Sequence, residues 1–365
     1  MLPLQRVLSV ILTGLLLGAL LAGPSTSAAR VKPAKPDAAA ESGHIDVPDE
    51  LRKVLPRGTV LYYAKVTRKL GTQTDHWVVE ALDVNSGKTW AVMTDKTSGL
   101  DQLQPRAISP DRRFLLIRAR TQNHRKILIE LELATGNWRL LRENSFHGQY
   151  SPDGKRLVID YQRDPKTVSV DPVLRTGIID RNGNLLQTLP CDAKRCYHPV
   201  WNKNGNEILY AEGQTRDLFP GIRPELARLR AFNVETGEAR ILADYPDQPI
   251  RIIYPDRCNG QYLFMDKSIR MAYIPELERR MYPSNLIIIN QQSTRKIEFS
   301  QFTGFTCIEG QPSYLIVDNT GEYKFGPIDE RMRLDLFHIP TRSSIRITPG
   351  PTLETDYFGP VISLP

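Results

Sequence analysis

The sequence has few of the residue types from which catalytic and metal centres are usually built. It contains four cysteines and six histidines in 365 residues. It lacks a Gly-x-Ser-x-Gly segment, the sharp turn that exposes the nucleophilic serine of α/β-hydrolases, and its cysteine spacings do not match those of a zinc ribbon. These absences argue against serine nucleophile catalysis and against a structural zinc site, and we expect no cofactor.

Neither charge nor hydrophobicity is extreme. Charged residues make up 24% and hydrophobic residues 41% of the chain, which is ordinary for a soluble globular protein. The formal net charge of +7 favours, modestly, acidic partners such as anionic glycans, phosphate-bearing polymers or lipid surfaces. Basic character alone is weak evidence for nucleic acid, so we expect no nucleic-acid partner.

The N-terminus carries an uncharged run at residues 7–22, directly after Arg6. Small residues follow, with Ser27 and Ala29 at the spacing of a cleavage site. Residues 1–29 are therefore predicted to be a secretory signal peptide, which makes the protein periplasmic or secreted. The alternative is an uncleaved membrane anchor, although the run is short compared with the roughly 20 residues of a spanning helix.

Residues 30–48 are rich in proline, alanine and charge and have almost no large apolar side chains. Such a segment cannot bury enough surface to offset the entropy lost on ordering. We predict a flexible tether at 30–48 and a folded domain at 49–365.

Four cysteines in an exported protein favour disulfides, and four allow three pairings. Cys191 and Cys196 are close together in the sequence, so a local bridge is the simplest choice. That choice leaves Cys258 to pair with Cys307.

A turn rich in proline, aspartate, asparagine and glycine recurs along the chain, each time followed by an apolar run of strand length. The copies are "ISPDRRFLLIRAR" from Ile108, "YSPDGKRLVIDY" from Tyr150, "WNKNGNEILYAEG" from Trp201, "YPDRCNGQYLFMD" from Tyr254 and a degraded "CIEGQPSYLIVD" from Cys307. A second series of strand–turn–strand segments lies between these copies, at residues 81–93, 131–141, 178–189, 232–242, 287–299 and 336–347. Two interleaved series with a period of about fifty residues indicate four strands per unit, which is typical of a β-propeller.

The first unit lacks an inner strand before residues 59–66, and the C-terminus supplies one. Residues 356–365 are similar to 195–204, with Pro360 matching Pro199. We therefore predict an all-β, six-bladed β-propeller that is closed by the C-terminal strand in the first blade. The alternative fold, two stacked β-sandwiches, does not explain this isolated copy of an inner strand.

The segments "SPDGKRLVIDY" and "SPDRRFLLIRA", each followed by a strand–turn–strand such as "FNVETGEARIL", resemble the WD-like repeats of the TolB-type propellers. The resemblance covers residues 58–365. It implies a propeller fold, but related propellers serve as periplasmic scaffolds, as covers on prolyl oligopeptidase-type enzymes and as lyases of pectic oligosaccharides. The lyase-type members rely on a cluster of metal-binding histidines.

In a propeller the connection from the second to the third strand of each blade lies on one face, and here these connections are long. Long loops on a rigid scaffold tend to carry function. Their aromatic and basic residues are suited to anchoring a partner, and the candidates are Phe219, Arg223, Arg270, Tyr273, Arg279 and Tyr323. The stretch from Ile274 to Pro283 is predicted to form a short helix.

Two histidines are in register within the repeat. His147 lies five residues before Pro152, and His198 lies five before the equivalent Lys203. Both should stand on inner strands near one mouth of the central channel, together with Arg106 and Arg251. A metal would need further ligands, and the two arginines would repel a cation. Anion binding at the mouth is the alternative that we favour over a metal.

These features favour a monomeric, non-enzymatic binding or scaffold protein of the cell envelope. Its partner would be an envelope protein or an acidic polymer such as a glycan, bound on the long-loop face, with membrane contact only if the signal is uncleaved. The alternative is a polysaccharide-directed lyase or hydrolase with its site at the channel mouth.

Overall fold

The computed structural model describes part of the chain. The described residues are 43–68, 75–164, 173–193, 195–213, 227–245, 250–258, 261–268, 272–274, 279–281, 284–289, 294–299, 302–319, 333–348 and 355–365. Within them, the backbone alone is described at residues 68, 227, 245–304, 319 and 355–359. The predicted signal peptide lies outside the described residues.

The Ser-Pro-Asp turns form closed hydrogen-bonded loops. In the first, the Ser109 hydroxyl donates to the Asp111 carboxylate at 2.6 Å and accepts from the Phe114 N–H at 2.9 Å. The turn at Ser151 repeats both bonds, at 2.6 and 3.0 Å. In the third copy Asn202 replaces serine, and its side-chain oxygen accepts two backbone N–H groups. Short polar side chains thus specify these three turns.

The fourth position of these turns has a left-handed backbone. Gly154 has a φ of 69° and Gly205 a φ of 72°, a conformation that costs glycine little. Arg112 holds the same position with a φ of 59°, and its guanidinium donates to the Leu364 carbonyl at 3.3 Å. The non-glycine turn therefore contacts the C-terminal segment.

The strands of the described residues form antiparallel sets of four, which we call sheets one to six in chain order, with sheets three and four joined into one sheet of eight strands. Sheet one contains β2 (Val60–Arg68), β3 (Asp75–Asp83), β4 (Lys88–Thr94) and β27 (Thr355–Ser363), with β1 (Gly43–His44) added beside β4. Sheet two contains β5 (Asp101–Ile108), β6 (Phe114–Arg120), β7 (Lys126–Glu132) and β8 (Trp138–Glu143). Sheet three contains β9 (Ser145–Tyr150), β10 (Arg156–Gln162), β11 (Leu174–Asp180) and β12 (Leu185–Thr188).

The second half of the chain continues the pattern. Sheet four contains β13 (Arg195–Trp201), β14 (Glu207–Gly213), β15 (Ala227–Asn233) and β16 (Ala239–Tyr245). Sheet five contains β17 (Ile250–Cys258), β18 (Gln261–Ser268), β21 (Ser284–Ile289) and β22 (Thr294–Phe299), and a separate hairpin contains β19 (Ala272–Ile274) and β20 (Arg279–Met281). Sheet six contains β23 (Phe302–Cys307), β24 (Tyr314–Asn319), β25 (Arg333–His338) and β26 (Ser343–Arg346). Two short helices, α1 (Asp49–Val54) and α2 (Asp95–Ser98), complete the described elements.

All six predicted strand–turn–strand segments are present, as the pairs β3–β4, β7–β8, β11–β12, β15–β16, β21–β22 and β25–β26. The C-terminal strand β27 is antiparallel to β2, with Val60 opposite Ser363. The predicted pairing of residues 356–365 with the first unit is therefore confirmed. A single parallel pair, Leu174 with Arg195, also links sheets three and four.

We call β27, β5, β9, β13, β17 and β23 the first strands of sheets one to six, because each begins the strand order of its set. Each first strand contacts the first strand of the next sheet. Strand β27 contacts β5, β5 contacts β9, β9 contacts β13, β13 contacts β17, β17 contacts β23, and β23 contacts β27. Where the side chains are described, apolar clusters fill the space between sheets six and one, one and two, two and three, and three and four, and the second and third strands of these sheets are largely buried. Representative pairs are Leu103 with Val79, Leu116 with Leu157, Val158 with Ile208, and Leu61 with Ile316.

A buried carboxylate joins sheets two and three. Glu130 on β7 is 1% exposed. It accepts hydrogen bonds from Arg139 at 2.6 Å and from the Tyr150 hydroxyl at 2.9 Å, and it pairs with Arg181 at 2.5 Å. Tyr150 and Arg181 belong to sheet three, so this charge network holds the two sheets together. Burial, with the Glu130 charge, raises the pKa of Tyr150.

The predicted tether is wrong for residues 43–48. Strand β1 pairs with β4, and Ile45 and Val47 are 8% and 2% exposed. They pack with Leu51 and Val54 of α1 in a cluster that also contains residues of sheets one and six. The two alternating apolar side chains supply the buried surface that the overall composition of the segment hides. Residues 30–42 lie outside the described part of the chain.

Two predictions in sheet five are also wrong. The repeat places a turn at Tyr254, but β17 continues to Cys258, and Pro255 pairs with Phe264 within the sheet. The helix predicted from Ile274 to Pro283 is interrupted by β20, which pairs with β19. In both places strand pairing overrides a local sequence preference.

Candidate functional site

Each first strand contains a one-residue bulge relative to the second strand near the level of the two histidines, and β5 contains a further one between Asp101 and Gln104. The extra residue is Arg106 in β5, Phe146 in β9, one of His198 and Pro199 in β13, Arg251 in β17, Thr303 in β23 and one of Gly359 and Pro360 in β27. A bulge interrupts strand pairing and changes the direction of the neighbouring side chains. The bulge therefore recurs in each sheet, at the level of the histidines and arginines that were predicted from the sequence.

The buried carboxylate of Asp160 holds two of these bulges together. Asp160 lies on β10 and is 1% exposed. One carboxylate oxygen accepts the backbone N–H groups of Phe146 at 3.0 Å and of His147 at 2.6 Å, and the other accepts the N–H of His198 at 3.3 Å. A single side chain thus orients the backbone of adjacent sheets. Burial raises the pKa of Asp160 to about 6, while the three N–H donors oppose this rise.

His147 and His198 meet across the boundary between sheets three and four. Their ring centroids are 5.4 Å apart in an edge-to-face arrangement. His198 has a left-handed φ of 52° because it lies in the bulge. The Nδ1 atom of His147 is buried, and no described residue forms a hydrogen bond with it.

Both imidazoles are neutral at physiological pH. Burial lowers the pKa of His147 well below its usual range, with further lowering by His198, Arg106 and Arg118. Burial also lowers the pKa of His198 to about 3, with contributions from the same two arginines. The positive field of these guanidinium groups is therefore present at both rings.

Arg106 and Arg118 of sheet two share one acceptor. Their guanidinium groups lie 2.6 and 3.4 Å from the side-chain oxygen of Gln104. Lys126 lies nearby, with its Nζ 4.5 Å from the centroid of the Phe146 ring. Burial and the Arg118 charge lower the pKa of Lys126. The cluster thus combines several cations with neutral imidazoles.

The remaining predicted site residues are described less completely. Arg251 lies in the bulge of β17, at the level of Arg106, but its side chain lies outside the described residues. Tyr273 and Arg279 lie in β19 and β20, where the backbone alone is described. The other loop candidates, Phe219, Arg223, Arg270 and Tyr323, lie outside the described residues.

Potential metal ligands are rarely grouped among the described side chains. Within the described ranges, the one group of three close potential ligands is Cys191, Cys196 and Glu212. Its two sulfurs are bonded to each other, so they do not offer thiolates to a metal. In the described part of the chain, His147 and His198 do not form a three-ligand group.

The predicted Cys191–Cys196 disulfide is present. The buried Glu212 carboxylate supports its loop, because it accepts the Ala193 N–H at 3.1 Å and lies 3.3 Å from the Arg230 guanidinium. Cys307 is also disulfide-bonded. The side chain of its predicted partner, Cys258, lies outside the described residues.

Asp160, Gln104, Arg118 and Lys126 were not predicted as site residues. Asp160 and Arg118 occupy the same position of the repeat, eight residues after Pro152 and Pro110. A charged residue at the end of an otherwise apolar run was the available signal. Gln104 and Lys126 have no comparable signal, because their place in the cluster depends on how the sheets pack.

The fold resembles solved propeller structures. Over 85% of this chain and 67% of the other, the protein is similar to TolB from Acinetobacter baumannii, with a TM-score of 0.57 and 11% sequence identity. Over 82% of this chain and 31% of the other, it is similar to the tricorn protease, with a TM-score of 0.50 and 10% identity. No protein-family model and no curated protein sequence matches the chain. At these identities the likeness shows a TolB-like propeller fold alone.

Neither of the two helices among the described residues has the length and hydropathy needed to cross a bilayer.

Proposed function

We propose that the protein is an exported, six-bladed β-propeller, closed by its C-terminal strand, that binds an acidic partner without catalysing a reaction. The chain of contacts between the six first strands, which returns from β23 to β27, supports the closed ring. The disulfide at Cys191–Cys196 and the uncharged run at residues 7–22 support export. Residues 43–365 would then form the propeller.

The hydrogen bonds that Asp160 accepts are the main observation in favour of binding over catalysis. Asp160 is the acid adjoining both histidines, and its two oxygens are engaged by three backbone N–H groups. A carboxylate in this role orients the backbone and is poorly placed to accept a proton from a substrate. The neighbouring arginines and neutral imidazoles instead offer hydrogen-bond donors to an anion.

The partner surface would be the face that carries the long second-to-third connections. Asp160 lies two residues before the end of β10, where one of these connections begins. The cationic cluster therefore lies towards the predicted binding face. An envelope protein with an acidic patch, or an acidic polymer, fits this face, with Arg223, Arg270 and Arg279 as the basic anchors.

A capture experiment tests the proposal. Immobilised protein should retain a specific partner from an envelope extract, and the double variant Arg270→Glu/Arg279→Glu should lose it. Lys155→Glu is the matched control, because Lys155 is exposed in a turn that follows a first strand, on the opposite face. Equal capture by all three proteins would contradict the proposed surface.

A polysaccharide-directed lyase or hydrolase is the second candidate, because His147 offers a buried ring nitrogen beside two arginines. Such an enzyme would cleave acidic polysaccharides and release reducing ends. Incubation with acidic polysaccharides, with His147→Gln as the control, separates the two functions. Turnover that His147→Gln abolishes would replace the binding proposal.

A further inference from the structure

We infer that the cluster of Arg106, Arg118, His147 and His198 is a binding site for a single oxyanion group, a carboxylate, sulfate or phosphate. The inference rests on the proposed function and names the chemical group that the partner inserts. The four residues come from three adjacent sheets, so the site forms when those sheets pack. We call them the oxyanion cluster.

The guanidinium geometry favours an anion. Arg106 and Arg118 both contact one Gln104 oxygen, at 2.6 and 3.4 Å, which places two like charges close together. A planar guanidinium group can present paired N–H donors to one oxyanion, and two such groups side by side suit an anion with several oxygens. The Gln104 side chain then orients both guanidinium groups.

The imidazoles add donors without adding charge. Each neutral ring carries one N–H, and the buried Nδ1 of His147 has no hydrogen-bond partner among the described residues. A buried polar atom without a partner is costly, and a ligand oxygen would satisfy it. The edge-to-face contact of 5.4 Å with His198 fixes the orientation of the ring.

The bulges and Asp160 make the cluster rigid. Arg106 and His198 lie within bulges, and Asp160 accepts the main-chain N–H groups of both His147 and His198. The Asp160 oxygens are therefore already engaged when a ligand arrives. A site that is organised before binding loses less conformational entropy when the ligand binds.

Calorimetric titration with small anions tests the inference. Sodium sulfate, phosphate and acetate are titrated into the purified protein at constant ionic strength, maintained with sodium chloride. Binding of sulfate or phosphate with no binding of acetate identifies a tetrahedral oxyanion, and the reverse identifies a carboxylate. Either result supports the site, and no binding of any of the three beyond chloride overturns it.

Variants locate the binding. Arg118→Gln should lower the affinity for the anion by about tenfold or more. Arg118→Lys should also lower the affinity, because the charge remains while the planar guanidinium group is lost. Arg120→Gln is the matched control, because Arg120 lies on the same strand and is paired with Asp101 at 2.8 Å. It should change the affinity less than about twofold. If Arg118→Gln does not fold, as judged by circular dichroism, His147→Gln provides the second test with the same expected direction.

The pH dependence separates this site from one that uses charged histidine. Sulfate keeps its charge across neutral pH, and Asp160, with a pKa of about 6, is already ionised above about pH 7. The affinity for sulfate should therefore change less than about twofold between about pH 7 and about pH 8.5. Among the described residues, the titratable and charged groups facing the rings are Arg106, Arg118, Asp160, Tyr197 and each other. A loss of about tenfold or more over that range would mean that a charged imidazole binds the anion, and would overturn the arrangement. Small-anion binding without macromolecular capture would contradict the proposed function alone.

Discussion

Removing the Asp160 carboxylate should destabilise the protein in a way that depends on pH. In Asp160→Ala, the N–H groups of Phe146, His147 and His198 lose their acceptor. Those hydrogen bonds are 2.6, 3.0 and 3.3 Å long. A buried N–H without a partner costs about 1–3 kcal/mol, so we expect a loss of about 3–5 kcal/mol in the free energy of unfolding at about pH 5.

The pH dependence follows from the raised pKa of Asp160, which is about 6 in the folded protein against an ordinary 3.8. Between these values the folded protein retains a proton that the unfolded chain has released. Its stability therefore falls as the pH rises through this window, at about 1.4 kcal/mol per pH unit and about 3 kcal/mol in total. The cost of Asp160→Ala should shrink by that amount between about pH 4 and about pH 7.

Asparagine provides a second comparison because it resembles the protonated acid in shape and hydrogen bonding. Asp160→Asn should be within about 1 kcal/mol of the wild-type protein at about pH 4 and should become the more stable of the two above about pH 6. The two histidines are present in every variant, so the comparison isolates the titration of Asp160 from theirs.

The assay is urea denaturation followed by circular dichroism at several pH values. Asp153→Ala is the matched control, because Asp153 is exposed and accepts from Ser151 and Lys155 in a turn, and it should cost about 1 kcal/mol or less. The reasoning is refuted if Asp160→Ala loses less than about 1 kcal/mol at about pH 5, or if its cost does not change with pH.

Three further predictions concern stability. Deleting residues 355–365 removes the strand paired with β2, and a sharp drop in melting temperature is expected, while an unchanged melting temperature would contradict closure by β27. The double variant Cys191→Ala/Cys196→Ala should lose about 2 kcal/mol by the chain-entropy model for a short loop. Dithiothreitol should remove this contribution from the wild-type protein, so the wild type and the double variant should have similar free energies of unfolding once both are reduced. Glu130→Ala should lose about 3–5 kcal/mol in urea denaturation, because it leaves two arginines near the buried site without their carboxylate, and a loss below about 1 kcal/mol would show that the network does not hold the sheets together.

The strand order was predictable because its signals are local. Serine, asparagine, proline and glycine specify the turns through their own side chains and backbone preferences, as the hydrogen bonds of Ser109 and Ser151 confirm. The pairing of β27 with β2 was predictable because the C-terminus is similar to another first strand of the same chain.

The candidate site was predictable only in part. The repeat placed His147 and His198 at one level, but the bulges depend on how each first strand meets its neighbours. The roles of Asp160 and Gln104 follow from those bulges and have no local signature. Local patterns were misleading where a tertiary partner competes with them, as at Pro255, where a turn-like motif lies inside a strand, and at residues 43–48, where a polar segment supplies two core side chains.

The pairing of β2 with β27 also affects how the molecule assembles. Val60 lies opposite Ser363, so β2 gains this partner only after the strands of the other sheets have been synthesised. Until then the edge of β2 is open, and the nascent chain cannot reach its final state. Pairing between strands so far apart in the sequence forms slowly, so we expect sheet one to fold after the sheets whose strands are neighbours in the chain.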